Sequence, residues 1–350
     1  MARQQSRAVR FGVRSVAVAV AVVALHLDVP GAARADSIVD SGRLLAAPQS
    51  PDGSSVERLD VADARHLTVY VHSTAMNRSV PVQVQQPPDA SAPRPSLYLL
   101  NGAGGGVDGA QWRTKTDALE FLADKNVNVV SPVGGAWSYY TDWRQADPVL
   151  GLNKWTTFLT KELPPIVNST LGTNGVNVIA GLSSSGTAAL ALAESAPGLY
   201  QGVASYSGCA QTSDPIGQRF VKLTVEAWGG GNTLNMYGPP DDPMWAANDP
   251  YIHADRLRGL DLYISSGNGA PGANDVLNGP RTQPGVDGLT NQIAVGGAIE
   301  AATNYCTHNL EHKLNQLGIP AHFNFRSSGT HSWGYWQDDL EDSWQVIAPR

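Results

Sequence analysis

Residues 181–186, Gly181-Leu182-Ser183-Ser184-Ser185-Gly186, have the makings of a nucleophile elbow, the strand-to-helix turn on which serine hydrolases expose an attacking hydroxyl. The plain pattern is Gly-x-Ser-x-Gly; here Ser185 takes the fifth place and the glycine follows at Gly186. The flanks supply the required context. The β-branched run "NVIA" leads in and the Ala/Leu-rich "TAALALAE" leads out. Ser183 then sits at the tip, where a helix N-terminus favours a developing negative charge. The plainer reading is that Ser184 or Ser185 only caps a helix.

A second motif lies upstream. "YLLNGAGGG", residues 98–106, is a Gly-rich loop after a strand-like run, the place where such hydrolases take an oxyanion-binding N–H. The backbone amides of Ala103 and Ser184 are the candidate donors. Gly104 to Gly109 also fits G-x-G-x-x-G, but no acidic residue about 20 positions on stands at a strand end, so a dinucleotide is not expected. Acyl transfer through a serine requires no cofactor.

The general base should be a late histidine, because the triad in this fold runs Ser, acid, His along the chain. Of His66, His72, His253, His308, His312, His322 and His331, only His331 lies in a late loop after a strand-like segment, "HFNF". His308-Asn309-Leu310-Glu311-His312 matches the H-x-x-E-H zinc motif, yet the segment is polar and amphipathic, where two surface histidines one turn apart are ordinary. No metal site is expected. For the acid, residue patterns alone point to Asp275, which follows the late strand "DLYISSG" in a loop.

These residues need a sheet to carry them. "HLTVYVHS" and "SVPVQVQQP" alternate at period two and predict an antiparallel pair at a sheet edge. "SLYLLNG", "NVNVVSPVG", "GVNVIAGLS", "GVASYSG" and "DLYISSG" are continuous apolar runs, as buried parallel strands are. "TDALEFLADK", "WTTFLTKELPPIV" and "GTAALALAESA" read as helices between them. The alternation predicts an α/β protein with a doubly wound, mostly parallel central sheet flanked by helices. Residues 211–250 read as a loop-rich insertion.

The chain has 350 residues with a formal net charge of −7. Arg3, Arg7, Arg10 and Arg14 precede an apolar run from Ser15 to Leu27 and an Ala33-Arg34-Ala35 cleavage pattern, so residues 1–35 read as a secretory signal peptide. Their removal would take away five arginines and one aspartate and leave −11. So acidic a chain does not suit nucleic-acid phosphates. Residues 36–55 read as an irregular lead-in and 56–350 as a single catalytic domain without a transmembrane segment. The two cysteines, Cys209 and Cys306, would pair as a disulfide in an oxidising compartment.

"YLLNG", "SPVGGAWSYYTDW", "KWTTFLTKELP", "GLSSSG", "NMYGPPDDPMWAANDP" and "GTHSWGYW" occur in the order found in the antigen 85 mycolyltransferases, and the chain resembles that family from about residue 56 to 340. The family elbow has the same G-L-S-x-x-G form. The resemblance implies an α/β-hydrolase fold and a Ser-Glu-His triad of Ser183, Glu300 and His331. It implies an acyl-enzyme that moves mycoloyl groups between trehalose mycolates, or similar acyl-sugar lipids, and cell-envelope glycan acceptors. It also implies a secreted, envelope location. Trp333 corresponds to a tryptophan flanking the sugar site. The family's first loop reads L-L-D-G-L-R, with its Asp and Arg bonded to sugar; Asn101 and Gly104 stand there, so Asn101 is left as the sugar ligand. A secreted serine esterase, or a non-catalytic cell-wall or adhesion protein on the same fold, would share most of these features.

Overall fold

In the computed structural model, which describes residues 47–350, the site-bearing strands lie side by side. Nine strands form one sheet in the order β1-β2-β3-β5-β4-β6-β7-β8-β9. β1 (Ser55–Val61), β2 (His66–Ser73) and β3 (Arg78–Gln85) are antiparallel, and β3 pairs antiparallel with β5 (Asn128–Pro132). From β5 onward the neighbours β4 (Ser96–Leu100), β6 (Asn177–Leu182), β7 (Gly202–Tyr206), β8 (Asp261–Ser266) and β9 (His322–Phe325) are all parallel. The expected mostly parallel sheet is present.

Why the central strands read as unbroken apolar runs is plain from the packing. Leu97, Leu99, Val178, Ala180 and Tyr206 face one layer, and Tyr98, Leu100, Ile179, Val203 and Ile264 face the other. With helices on both faces, the period-two alternation of polarity has no reason to appear. The labelled helices are α1 (Leu163–Leu171), α2 (Ser184–Ser195), α3 (Pro215–Lys222), α4 (Gly297–Leu317) and α5 (Trp333–Ile347). Leu190 and Leu192 of α2 and Leu310 and Leu314 of α4 join the core on the Tyr98 face, whereas Trp336, Leu340 and Ile347 of α5 cover the Leu97 face.

Three local expectations change. The edge strand is β1, outside the pair β2–β3; a register shift between Val56 and Arg58 interrupts its period-two pattern. "TDALEFLADK" makes only a four-residue helix, Ala118–Phe121, and a following turn, too short to span the sheet. Residues 211–250 are mostly helical rather than loop-rich. Asp214 and Asp242 cap helices whose first residues are Pro215 and Pro243, a start signal that the many Gly and Pro residues disguise. Residues 1–35, read as a signal peptide, and most of the lead-in lie outside the described residues. Among the described residues, no helix is long and apolar enough to cross a membrane.

Candidate active site

Strand register assembles the site. Leu100 of β4 pairs with Gly181 of β6, Leu182 with Tyr206 of β7, Tyr206 with Ser265 of β8, and Ser266 with Phe325 of β9. All run parallel, so the loops at 101–106, 183, 207, 267 and 326 leave one edge of the sheet together. That carboxyl edge is where open α/β sheets bind their ligands.

Ser183 lies at φ 57° and ψ −131°, a region that non-glycine residues seldom enter. Its N–H donates to the Tyr206 carbonyl at 2.8 Å, and its own carbonyl accepts from Gly186 and Thr187. A Cβ at position 181 would collide with the Ser185 carbonyl, and one at 186 would meet the Ser205 hydroxyl at 2.9 Å, so both glycines are sterically required. Ser185, fully buried, donates its Oγ to Leu182 O at 2.8 Å and accepts from Leu182 N at 2.9 Å. Its hydroxyl ties the turn shut, which explains a serine where the plain motif has glycine. Ser185→Ala should lower the melting temperature, since the buried Leu182 amide loses its acceptor at a cost of about 1–3 kcal/mol. Turnover should survive. A thermal melt beside a rate measurement checks both.

His331 is held by its backbone, whose N–H donates to Gly296 O at 3.1 Å, and by its ring, edge-on to Trp336 at 4.9 Å. Nδ1 lies 2.8 Å from Oε2 of Glu300, and Nε2 is buried without a partner. Glu300, on the first turn of α4, is wholly buried. Its Oε1 accepts from Gly267 N at 2.6 Å, Ser207 Oγ at 2.8 Å and Arg326 Nη2 at 3.1 Å. Trp336 Nε1 donates in turn to Ser207 Oγ at 3.0 Å. Ser183, Ser184 and His331 line one cavity of about 480 Å³, whose other walls include Phe220, Leu223, Trp228 and Ile299.

Among the described residues, no hydrogen bond uses the amide of Ala103 or Ser184. The Ala103 carbonyl accepts from Trp137 N at 2.6 Å and Gly102 O from Gly105 N at 2.8 Å, which fixes the loop's direction. Asp275 does not touch His331. It accepts from Gln292, Tyr335, the Gly272 amide and Thr330, the residue before His331. Burial would raise its pKa, but the bonds from Gln292, Thr330 and Tyr335 outweigh that and hold it below the usual carboxylate range.

The two residues expected at a sugar site are placed otherwise. Asn101 is 1% exposed; its Nδ2 donates to Pro132 O and its Oδ1 accepts from Trp112 N, so the amide braces the loop and lines no part of the cavity. Trp333, the first residue of α5, is partly buried and packs edge-on against Trp112 and Trp336, at 5.6 and 5.3 Å. His308 and His312 are on the surface of α4, with His308 stacked on Phe325 at 3.9 Å.

Cys209 and Cys306 form a disulfide. It ties the loop after β7 to α4 six residues beyond Glu300, and Cys209 also lines the cavity. Because it closes 97 residues of chain, the Cys209→Ser/Cys306→Ser variant should lose about 2–4 kcal/mol of stability. A thermal melt should show it as a fall of several degrees.

Sequence reasoning missed Ser207, Arg326 and Asp339. Ser207 left a faint trace, a serine directly after a buried strand, and its φ of 52° marks the sharp turn there. Arg326 and Asp339 left none.

A mostly parallel sheet with a strained serine turn at its carboxyl edge is the architecture of an α/β-hydrolase. Residues 73–345 match the family described as "Putative esterase". The chain is 33% identical to diacylglycerol acyltransferase/mycolyltransferase Ag85A of Mycobacterium leprae, over 78% of this chain and 80% of that protein. It is 31% identical to Ag85C of Mycobacterium avium, over 87% and 80% respectively. Among solved structures, Mycobacterium tuberculosis MPT51 (FbpC1) superposes with a TM-score of 0.66 and 27% identity, covering 82% of this chain and 99% of that one. An S-formylglutathione hydrolase from Agrobacterium tumefaciens shares the fold, at a TM-score of 0.59 and 15% identity. The chain belongs to the antigen 85 diacylglycerol acyltransferase/mycolyltransferase family, within the esterases, and is an enzyme of acyltransferase or esterase type.

Proposed function

We propose that the protein is an exported acyltransferase that moves mycoloyl groups from trehalose mycolates to a sugar hydroxyl of the cell envelope, by a Ser183-Glu300-His331 triad. The observation that carries this reading is the 2.8 Å bond from His331 Nδ1 to Glu300, which leaves Nε2 unpartnered beside the cavity that Ser183 lines. His331 Nε2 takes the Ser183 proton as Oγ attacks the ester carbonyl. The amides of Ala103 and Ser184 receive the oxyanion, a contribution of several kcal/mol to the barrier. The tetrahedral intermediate collapses, His331 returns the proton to the leaving sugar oxygen, and the acyl group stays on Ser183. An acceptor hydroxyl then gives its proton to His331 and attacks the acyl-enzyme; the acyl–Ser183 bond breaks and His331 returns the proton to Ser183 Oγ. The apolar walls from Phe220 to Trp228 suit a long alkyl chain. Export is supported by the signal-like residues 1–35 and by a disulfide of a kind that persists in oxidising compartments.

One observation favours plain hydrolysis as a second reading. Asn101 is turned into the scaffold, and the place of a side chain at Gly104 is filled by the Asp108 carboxylate, so this loop offers a sugar fewer contacts. Incubation with trehalose monomycolate decides between them. Trehalose dimycolate as main product supports transfer, and free mycolic acid as the sole acyl product, with added trehalose present, makes the protein an esterase.

A further inference from the structure

Behind Glu300 lies a second carboxylate that the acyl-transfer scheme does not use. Arg326, the residue after β9, donates Nη2 to Glu300 Oε1 at 3.1 Å and Nη1 to Asp339 Oδ2 on α5. All three are removed from water: the Glu300 side chain is 0% exposed, that of Asp339 1% and that of Arg326 14%. Buried ion pairs contribute little to stability unless every polar atom is satisfied. Here Asp339 Oδ1 and Arg326 Nε have no partner. A merely structural cluster would be better replaced by apolar side chains, so its charge calls for another account.

The charges supply one. Two carboxylates around one guanidinium leave a single negative charge beside a neutral imidazole. When His331 takes a proton from Ser183, that charge faces an imidazolium and the buried group becomes neutral. Without Asp339, the resting cluster would be neutral, and the same proton transfer would leave a buried positive charge. We propose that Arg326 and Asp339 are positioning residues of the triad: Arg326 clamps Glu300 Oε1 so that Oε2 meets His331, and Asp339 balances the guanidinium so that Glu300 keeps its pull on the imidazolium. The inference rests on the triad reading of Ser183, Glu300 and His331.

The surroundings agree with a charged Asp339. Burial pushes its carboxyl up to about 6, an effect partly offset by the Arg326 guanidinium, which bonds Oδ2 and favours the charged form. Burial also pulls on the Arg326 guanidinium, but Asp339 and Glu300 outweigh it and hold the pKa above its usual value. The other titratable groups near Asp339 are Tyr206, Tyr263 and Asp342, and Tyr335 lies under the guanidinium at 5.3 Å. The tyrosines stay neutral, their pKa values raised by burial first.

The test is the pH dependence of kcat/KM for p-nitrophenyl butyrate between pH 5 and 9, whose acid limb reports the free enzyme's base. In Asp339→Asn the limb should move to lower pH by roughly 0.5–1 unit, the size of one charge acting at short range in a protein. In Arg326→Met/Asp339→Asn it should move the opposite way, because the nearer positive charge on Glu300 is then gone. A structural role would lower yield or rate and move neither limb. Should Asp339→Asn fail to fold with its arginine unpaired, the double variant still decides, since an unmoved limb overturns the proposal. Fluorophosphonate labelling of the wild type separates the two levels. No labelling of Ser183 defeats the triad reading and this inference with it, whereas normal labelling with both limbs unmoved defeats the inference alone.

Discussion

Ser183→Ala is expected to abolish acyl transfer and covalent labelling by a fluorophosphonate, with turnover down by about 10⁴–10⁶ and the fold intact. The size follows from the turn. Ser183 alone of the three serines has a partly exposed side chain at the strained tip, while Ser184 and Ser185 are buried. Ser184 is proposed to act through its backbone amide, which alanine keeps, so Ser184→Ala should remain within a few-fold of wild type. Intact-mass spectrometry after probe treatment reads the result directly. A probe adduct that persists in Ser183→Ala would move the nucleophile elsewhere, and one lost in Ser184→Ala would implicate the wrong hydroxyl.

Glu300→Gln should cost about 10⁴ in turnover, and the hydrogen bonds say why. Gly267 N, Ser207 Oγ and Arg326 Nη2 all donate to Oε1. A glutamine would turn its carbonyl oxygen toward these three donors and its NH₂ toward His331 Nδ1. The imidazole would then have to present a lone pair at Nδ1 and carry its hydrogen on Nε2, the tautomer that cannot take the Ser183 proton. Asp275→Asn should stay within a few-fold of wild type in turnover, because Asp275 bonds Thr330, the residue before His331, and none of Ser183, Glu300 and His331. Its effect should fall on stability and on pH. A carboxyl whose folded pKa is depressed stabilises the protein above its unfolded pKa, near 3.8, and that share is lost as pH falls through the folded value. Asp275→Asn should therefore reduce the loss of stability as pH falls below about 4, measured by thermal melts. A crippled Asp275→Asn beside an active Glu300→Gln would make Asp275 the acid.

How much of the molecule was legible differs from residue to residue. The strands β4 to β8 were readable because burial on both faces writes itself as unbroken apolar runs between glycines. The elbow was readable because much of its requirement is local: Gly181 is forced by the Ser185 backbone four residues on, while Gly186 makes room for Ser205 of the next strand. The order Ser, then late His, follows from chain direction in this fold. The acid was not decided by local pattern. Asp275 and Glu300 lie 25 residues apart, both close to the His331 loop, and pattern alone preferred Asp275; family resemblance pointed to Glu300. Only the packing of α4 against β8 brings a carboxylate to Nδ1.

The same limit explains the sugar-site residues. Asn101 and Trp333 stand at positions that sequence could name, but their direction is set by Trp112, Pro132 and Trp336, which reach them from separate parts of the chain. The buried chain Glu300-Arg326-Asp339 is the extreme case, since its three charges come from α4, the end of β9 and α5 and look like ordinary surface residues in sequence. Sequence by itself determined the central strands of the sheet, the strained serine turn and the single disulfide's two partners, because each depends on short-range sterics, periodic burial or a count of two. The tertiary structure alone decided which carboxylate meets the histidine and what charge lies behind it, because electrostatic contact depends on distance through space, which spacing along the chain does not encode.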